Sequence, residues 1–103
     1  MQSSKIIENN FGKIPVIIER SSSEKVLPEL EQTKYLFPED FTFLDFSQVM
    51  RKKLHLGEHQ TVSFFFENKK LYHSGRLLKE IYQENKDKDG FLYCLYAFEN
   101  TTG

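Results

Sequence analysis

Few stretches of the chain carry side chains that could do chemistry. His55-Leu56-Gly57-Glu58-His59 reads H-x-x-E-H, the string by which one zinc-peptidase class sets two imidazoles on a helix face. Gly57 interrupts the helix that would align both ligands, and no third ligand is evident, so metal catalysis is set aside. Asn85-Lys86-Asp87-Lys88-Asp89-Gly90 begins like a calcium loop, but its twelfth position is Tyr96 instead of a bidentate Glu. Cys94 and His73 have no recognisable partners for nucleophilic catalysis; a thiol in a strand core and a surface imidazole are the readings that remain. Arg51-Lys52-Lys53 suits either an acidic partner or a solvated helix face. Gly103 ends the chain after the polar Glu99-Asn100-Thr101-Thr102, so its carboxylate is expected in solvent, and a glycine there is by itself ordinary tail. Nothing in this inventory describes an enzyme or calls for a cofactor.

Composition narrows the function further. A chain of 103 residues buries one core, and 39% apolar against 28% charged residues is an ordinary globular balance. Ten Phe and five Tyr mean that aromatic rings must dominate that core. The formal net charge of -1 gives no field that would draw the protein onto nucleic acid. One cysteine makes no internal disulfide, and Met1-Gln2-Ser3-Ser4-Lys5 is no secretory signal, so the cytoplasm is the expected compartment. No run is long enough to span a bilayer, which leaves lipidation or peripheral attachment open.

The elements that would position these residues follow from hydrophobic periodicity. Residues 1–12 are polar apart from Ile6, Ile7 and Phe11 and read as a short N-terminal arm closed by Gly12. Residues 13–103 form the domain, with a flexible tail at 99–103. Ile14-Pro15-Val16-Ile17-Ile18 is a nearly continuous apolar run, the mark of a strand covered on both faces in mid-sheet. Thr33-Lys34-Tyr35-Leu36-Phe37 is a second strand stopped by Pro38. Thr42 and Asp45 make a capping box for a helix over residues 43–56, with Phe46, Val49, Met50 and Leu54 on its apolar stripe and Gly57 as its stop. Residues 61–66 form a strand, 70–72 a short further one, 77–82 a short helix, and 91–98 a last central strand. The order ββαββ(α)β is an α+β arrangement, a ubiquitin-like β-grasp in which a mixed four-stranded sheet packs on one main helix. The two apolar strands at opposite ends of the sequence are expected to pair in parallel, the helix supplying the crossover.

Several strings then resemble one family. Lys13-Ile-Pro-Val-Ile-Ile-Glu-Arg20, Lys34-Tyr-Leu-Phe-Pro38, Arg51-Lys-Lys53, Ile81-Tyr82 and Lys86-Asp-Lys-Asp-Gly-Phe-Leu-Tyr93, ending in Gly103, are similar to the autophagy-related protein 8 modifiers. The spacing from Glu19-Arg20 to Lys34-Tyr35, with Leu27-Pro28, is closer to the microtubule-associated protein light chain 3 branch. The likeness runs over residues 13–103. Family members carry two helices before the first strand, and here these are largely missing. The sheet face they would cover is therefore expected to be partly bare and open to self-association or a partner. Thr102 replaces the usual aromatic residue before the glycine.

The resemblance implies a ubiquitin-like modifier without catalysis of its own. An activating enzyme would adenylate the Gly103 carboxylate, a conjugating enzyme would take it as a thioester, and an amide to phosphatidylethanolamine would carry the protein to the autophagosome membrane. A processing cysteine protease belongs to the same pathway. Cargo receptors and adaptors would dock on the second strand through a motif with an aromatic anchor, two intervening residues and an aliphatic anchor. Carried over position by position, the first pocket would use Ile14, Pro15, Lys34, Leu36 and Phe91, with Ile6. Tyr35, Phe37, Pro38, Phe46, Val49 and Met50 would form the second, made shallow by Phe37 and Phe46 where aliphatic residues are usual. Arg51, with Lys52 and Lys53, would attract acidic residues flanking the motif. The alternative is a binding module of the same fold that keeps the groove and is not lipidated.

Overall fold

The apolar strand expected from Ile14 onward forms β1, Lys13–Arg20, in a computed structural model that describes residues 12–57 and 60–98. The N-terminal arm with Ile6, and the tail with Gly103, lie outside the described residues. β2 is Lys34–Pro38, α1 Phe43–Lys53, β3 Val62–Phe65, α2 Leu78–Asn85 and β4 Leu92–Phe98. The strands lie in the order β2-β1-β4-β3, a mixed sheet in which β1 pairs antiparallel with β2 and parallel with β4, while β3 pairs antiparallel with β4. The two most apolar strands therefore occupy the middle, and the long crossover a parallel pair requires is filled by α1, β3 and α2.

Register sorts the side chains into two faces. Ile14, Val16 and Ile18 of β1 share the core with Phe37, Leu92, Cys94 and Tyr96. Pro15 and Ile17 look the other way, beside Leu36, Lys34 and Tyr93. On that second face Pro15 is fully buried and Ile17 half-buried, whereas Leu36, Leu95 and Phe65 stand exposed. Phe65, Tyr93 and Leu95 line a cavity of about 560 Å³ there.

Helix α1 closes the core and begins as expected. The Asp45 amide donates to Thr42 Oγ1 at 3.2 Å, and the Thr42 amide donates to Asp45 Oδ2 at 3.0 Å. Its end corrects the sequence reading: the helix stops at Lys53, short of the expected residue 56, and His55 rather than Gly57 reverses the chain. His55 has φ 56°, the Leu56 amide donates to Arg51 O, and the His55 amide donates to Lys52 O, both at 3.1 Å. That is the paired closure of a left-handed helix terminus, with half-buried Leu56 packed back on the core. The H-x-x-E-H string consequently begins past the helix end, and among the described residues no cluster suited to a metal ion is found.

Aromatic rings fill the space between sheet and helix. Phe46 meets Phe37 edge to face at 5.2 Å and Phe64 at 5.0 Å between ring centres. Residues 70–72, expected as a strand, are loop. Tyr72 is held there by side chains: its hydroxyl donates to Glu84 Oε1 at 2.8 Å and accepts from Asn68 Nδ2 at 2.7 Å and Asn85 Nδ2 at 2.9 Å. These bonds take the place of a ladder and tie the segment to α2. No described helix is long and apolar enough to cross a membrane.

Candidate docking groove

β2 is at one end of the sheet order and pairs only with β1 among the described strands, so its outer backbone margin faces away from the sheet. Between this margin, the last turns of α1 and the loop before β2 runs a groove of about 660 Å³. Its apolar floor is made by Leu30, Tyr35 and Val49, each packed on the core. Lys52, Lys53 and His55 border it at the end of α1, and Glu29 and Glu31 border it on the loop. Cations in a last helical turn are favourable to the helix dipole in any case, so the lysines have a structural reason to be there as well. Burial raises the pKa of the Tyr35 phenol, which keeps it neutral.

The loop wall is fixed from beneath. The Tyr96 hydroxyl donates to Pro28 O at 2.5 Å, and the Arg20 guanidinium donates to Leu27 O at 2.9 Å and to Glu29 Oε1 at 3.0 Å. Glu24, only 7% exposed, anchors the loop's start: its Oε2 accepts the Val26 amide at 2.8 Å and the Leu27 amide at 2.6 Å, and its Oε1 accepts the Phe98 amide at 2.7 Å. The amide of Leu27 above all, then that of Phe98, holds the Glu24 carboxyl below its ordinary range.

Set against this geometry, the residues named from sequence divide. Tyr35 and Val49 line the groove, and Pro38 is half-buried at the strand's end. Lys34 and Leu36 are exposed on the opposite face with Pro15 between β2 and the core of the sheet. The register that pairs Val16 with Leu92 brings half-buried Phe91 level with Pro15. Ile14 does not join that set. It is one residue from Pro15 on a strand, hence on the other face, and packs in the core opposite Phe37. Phe37 at 4% exposure, with Phe46 and Met50 at 0%, likewise form the core under the groove and not its surface. Arg51 braces the turn after α1: its guanidinium donates to Gln60 O at 2.8 Å and Gly57 O at 3.0 Å. Lys52 and Lys53 are the cations that border the groove. Sequence reasoning missed Leu30 and the Glu24 clamp. Only the contrast of Glu24 in a Ser-rich turn, with Leu27 three residues on, hinted at an anchored loop.

A sheet of this order grasping one helix, with an open strand margin, defines a ubiquitin-like protein. The family model described as autophagy protein Atg8, ubiquitin like, matches residues 1–103. The chain is 41% identical over 102 residues to autophagy-related protein 8 of Vanderwaltozyma polyspora, covering 99% of this chain and 85% of that protein. It shares 41% identity over 102 residues with autophagy-related protein 8A of Oryza sativa subsp. indica and with autophagy-related protein 8a of Arabidopsis thaliana, covering 99% of this chain and 84% and 82% of theirs. The chain belongs to the Atg8 family of ubiquitin-like autophagy proteins.

Proposed function

We propose that this protein is coupled through Gly103 to phosphatidylethanolamine and recruits cargo receptors and adaptors along β2. The observation that carries the reading is the margin of β2, which among the described strands pairs only with β1, beside a groove with an apolar floor in a chain of this family. A partner segment in extended form can add to that margin by backbone hydrogen bonds and set an aliphatic side chain on Leu30, Tyr35 and Val49. Acidic residues flanking the motif would meet Lys52 and Lys53. One buried anchor contributes about 1.5–3 kcal/mol before ordering costs, so binding is micromolar and gains strength from many copies on one surface.

Coupling proceeds in balanced steps. A Gly103 carboxylate oxygen attacks the α-phosphorus of ATP and pyrophosphate leaves; the activating enzyme's thiolate displaces AMP from the acyl-adenylate; the conjugating enzyme's thiolate takes the acyl group and releases that thiol; the lipid's amine then displaces the second thiol, forming the amide. Glycine suits the transfer because no side chain crowds its carbonyl. Two acyl chains hold the product on the bilayer, each buried methylene contributing about 0.8 kcal/mol. The membrane is the autophagosome's, with the uncoupled protein in the cytoplasm. A processing cysteine protease is a further partner, and the bare patch around Leu36, Leu95 and Phe65 is available for self-association.

Incubation with activating and conjugating enzymes of the pathway, ATP and liposomes containing phosphatidylethanolamine tests the coupling. An ATP-dependent lipid adduct lost in G103A is expected. Absence of any adduct, with peptide binding retained, would establish the alternative of a non-lipidated binding module.

A further inference from the structure

The pairing of β2 with β1 fixes which of its backbone groups face outward. In an antiparallel pair, residues alternate between exchanging hydrogen bonds with the strand opposite and turning their amide and carbonyl the other way. The Ile18 amide donates to Thr33 O at 2.8 Å, and the register pairs Ile17 with Lys34, Val16 with Tyr35 and Pro15 with Leu36. Thr33, Tyr35 and Phe37 therefore turn their polar backbone towards β1, and Lys34 and Leu36 turn theirs to the outer margin. Pro15 agrees with this phase, since it has no amide to give and stands opposite Leu36, where none is needed. No described strand meets the outward groups, yet one of them is taken. Gln32 Nε2 donates to Lys34 O at 2.6 Å, and Gln32 also lines the docking groove. The side chain stands where an added strand would place a backbone amide of its own.

We infer that Gln32 gates the docking margin: its amide holds Lys34 O in the free protein, and a docking segment must displace it before a backbone amide can take that carbonyl. This rests on the reading under Proposed function. The exchange trades one neutral hydrogen bond for another, so backbone addition at Lys34 brings little by itself. A segment gains from it only when its side chains also reach the groove, which favours motif-bearing partners over any extended chain that meets the edge. The loop that carries Gln32 is held by Glu24, Arg20 and Tyr96 through bonds in which Gln32 has no part. Removing the Gln32 donor therefore leaves the groove wall in place.

Q32M keeps the length of the side chain and removes the donor. Titration calorimetry on the full chain compares it with the wild type, using a synthetic peptide that carries an aromatic-x-x-aliphatic motif and a series in which each backbone amide in turn is replaced by an ester. Q32M is expected to bind the all-amide peptide about two- to tenfold more tightly, the fold-change of one neutral hydrogen bond that no longer has to be broken. One ester position, that of the amide facing Lys34 O, should erase this gain, and the others should leave it. Unchanged or weaker binding by Q32M overturns the inference while motif docking stands. A gain that survives every ester also overturns it, since Gln32 would then act by bulk and not at the carbonyl. Failure of both proteins to bind the all-amide peptide removes the docking reading and this inference with it.

Discussion

Replacing Phe37 by valine should make the protein less stable and its groove more receptive. Phe37 is 4% exposed and meets Phe46 at 5.2 Å, Tyr35 at 5.9 Å and Phe41 at 6.1 Å between ring centres. It thus fills the space beside the Tyr35 floor that an incoming side chain would otherwise enter. Truncating a buried Phe to Ala costs about 3–5 kcal/mol; valine keeps part of the volume, so F37V should cost about 2 kcal/mol. For a domain near this size that lowers the melting temperature by roughly 8–16 °C. A docked aliphatic anchor that occupies the vacated space regains part of this loss, and recovery of about 1.4 kcal/mol corresponds to tenfold tighter binding. Calorimetric titration with a peptide carrying an aromatic-x-x-aliphatic motif measures the second quantity, and thermal unfolding the first. Destabilisation with no change or a fall in affinity would refute the argument, because the space under Phe37 would then be closed to the ligand.

Other outcomes follow from particular contacts. Because its amide partners depress the folded pKa of Glu24, its contribution to stability is complete above its unfolded value and is lost as pH falls through the lower folded one. Melting curves from pH 6 down to about pH 2 should therefore fall more steeply for the wild type than for E24Q, whatever the shared effect of Arg20 and Glu29 beside the loop. R51A removes two donors from Gly57 O and Gln60 O and should cost about 1–2 kcal/mol in chemical denaturation, with faster amide exchange at Gly57 and Leu56. Burial pushes the Cys94 thiol far up, so alkylation at pH 8 should proceed only at the rate of unfolding; rapid labelling of the folded protein would contradict its placement between β1 and β3.

The sequence announced most of this architecture because its strongest signals are also its most buried segments. Ile14 to Ile18 and Leu92 to Tyr96 read as central strands and pair in the sheet's middle, but the expected cover on both faces is incomplete: one face is core, while Ile17 and Tyr93 are half-buried and Leu95 exposed on the other. Boundaries failed where a side chain outside the local pattern decided them. His55 took the left-handed position that glycine usually takes, and Arg51 reached two carbonyls to secure it. Tyr72 held its segment as loop through contacts with Asn85 and Glu84, partners that no local window contains. At the groove, resemblance supplied positions without depth: Phe37, Phe46 and Met50 stand at expected numbers yet lie beneath the surface. Ile14 was misplaced by the strand's two-residue alternation, a point the register decides.

The central location of β4 also bears on how the chain is made. Of the described strands it is the last to be synthesised, yet β1 and β3 meet only through it. A nascent polypeptide that has not yet delivered Leu92 to Phe98 holds the β1–β2 hairpin and a β3 segment without its ladder partner, so its hydrophobic interior stays open on the ribosome until β4 emerges. Premature termination would split this protein down the middle rather than trim its border, and quality-control machinery would meet an all-or-none product.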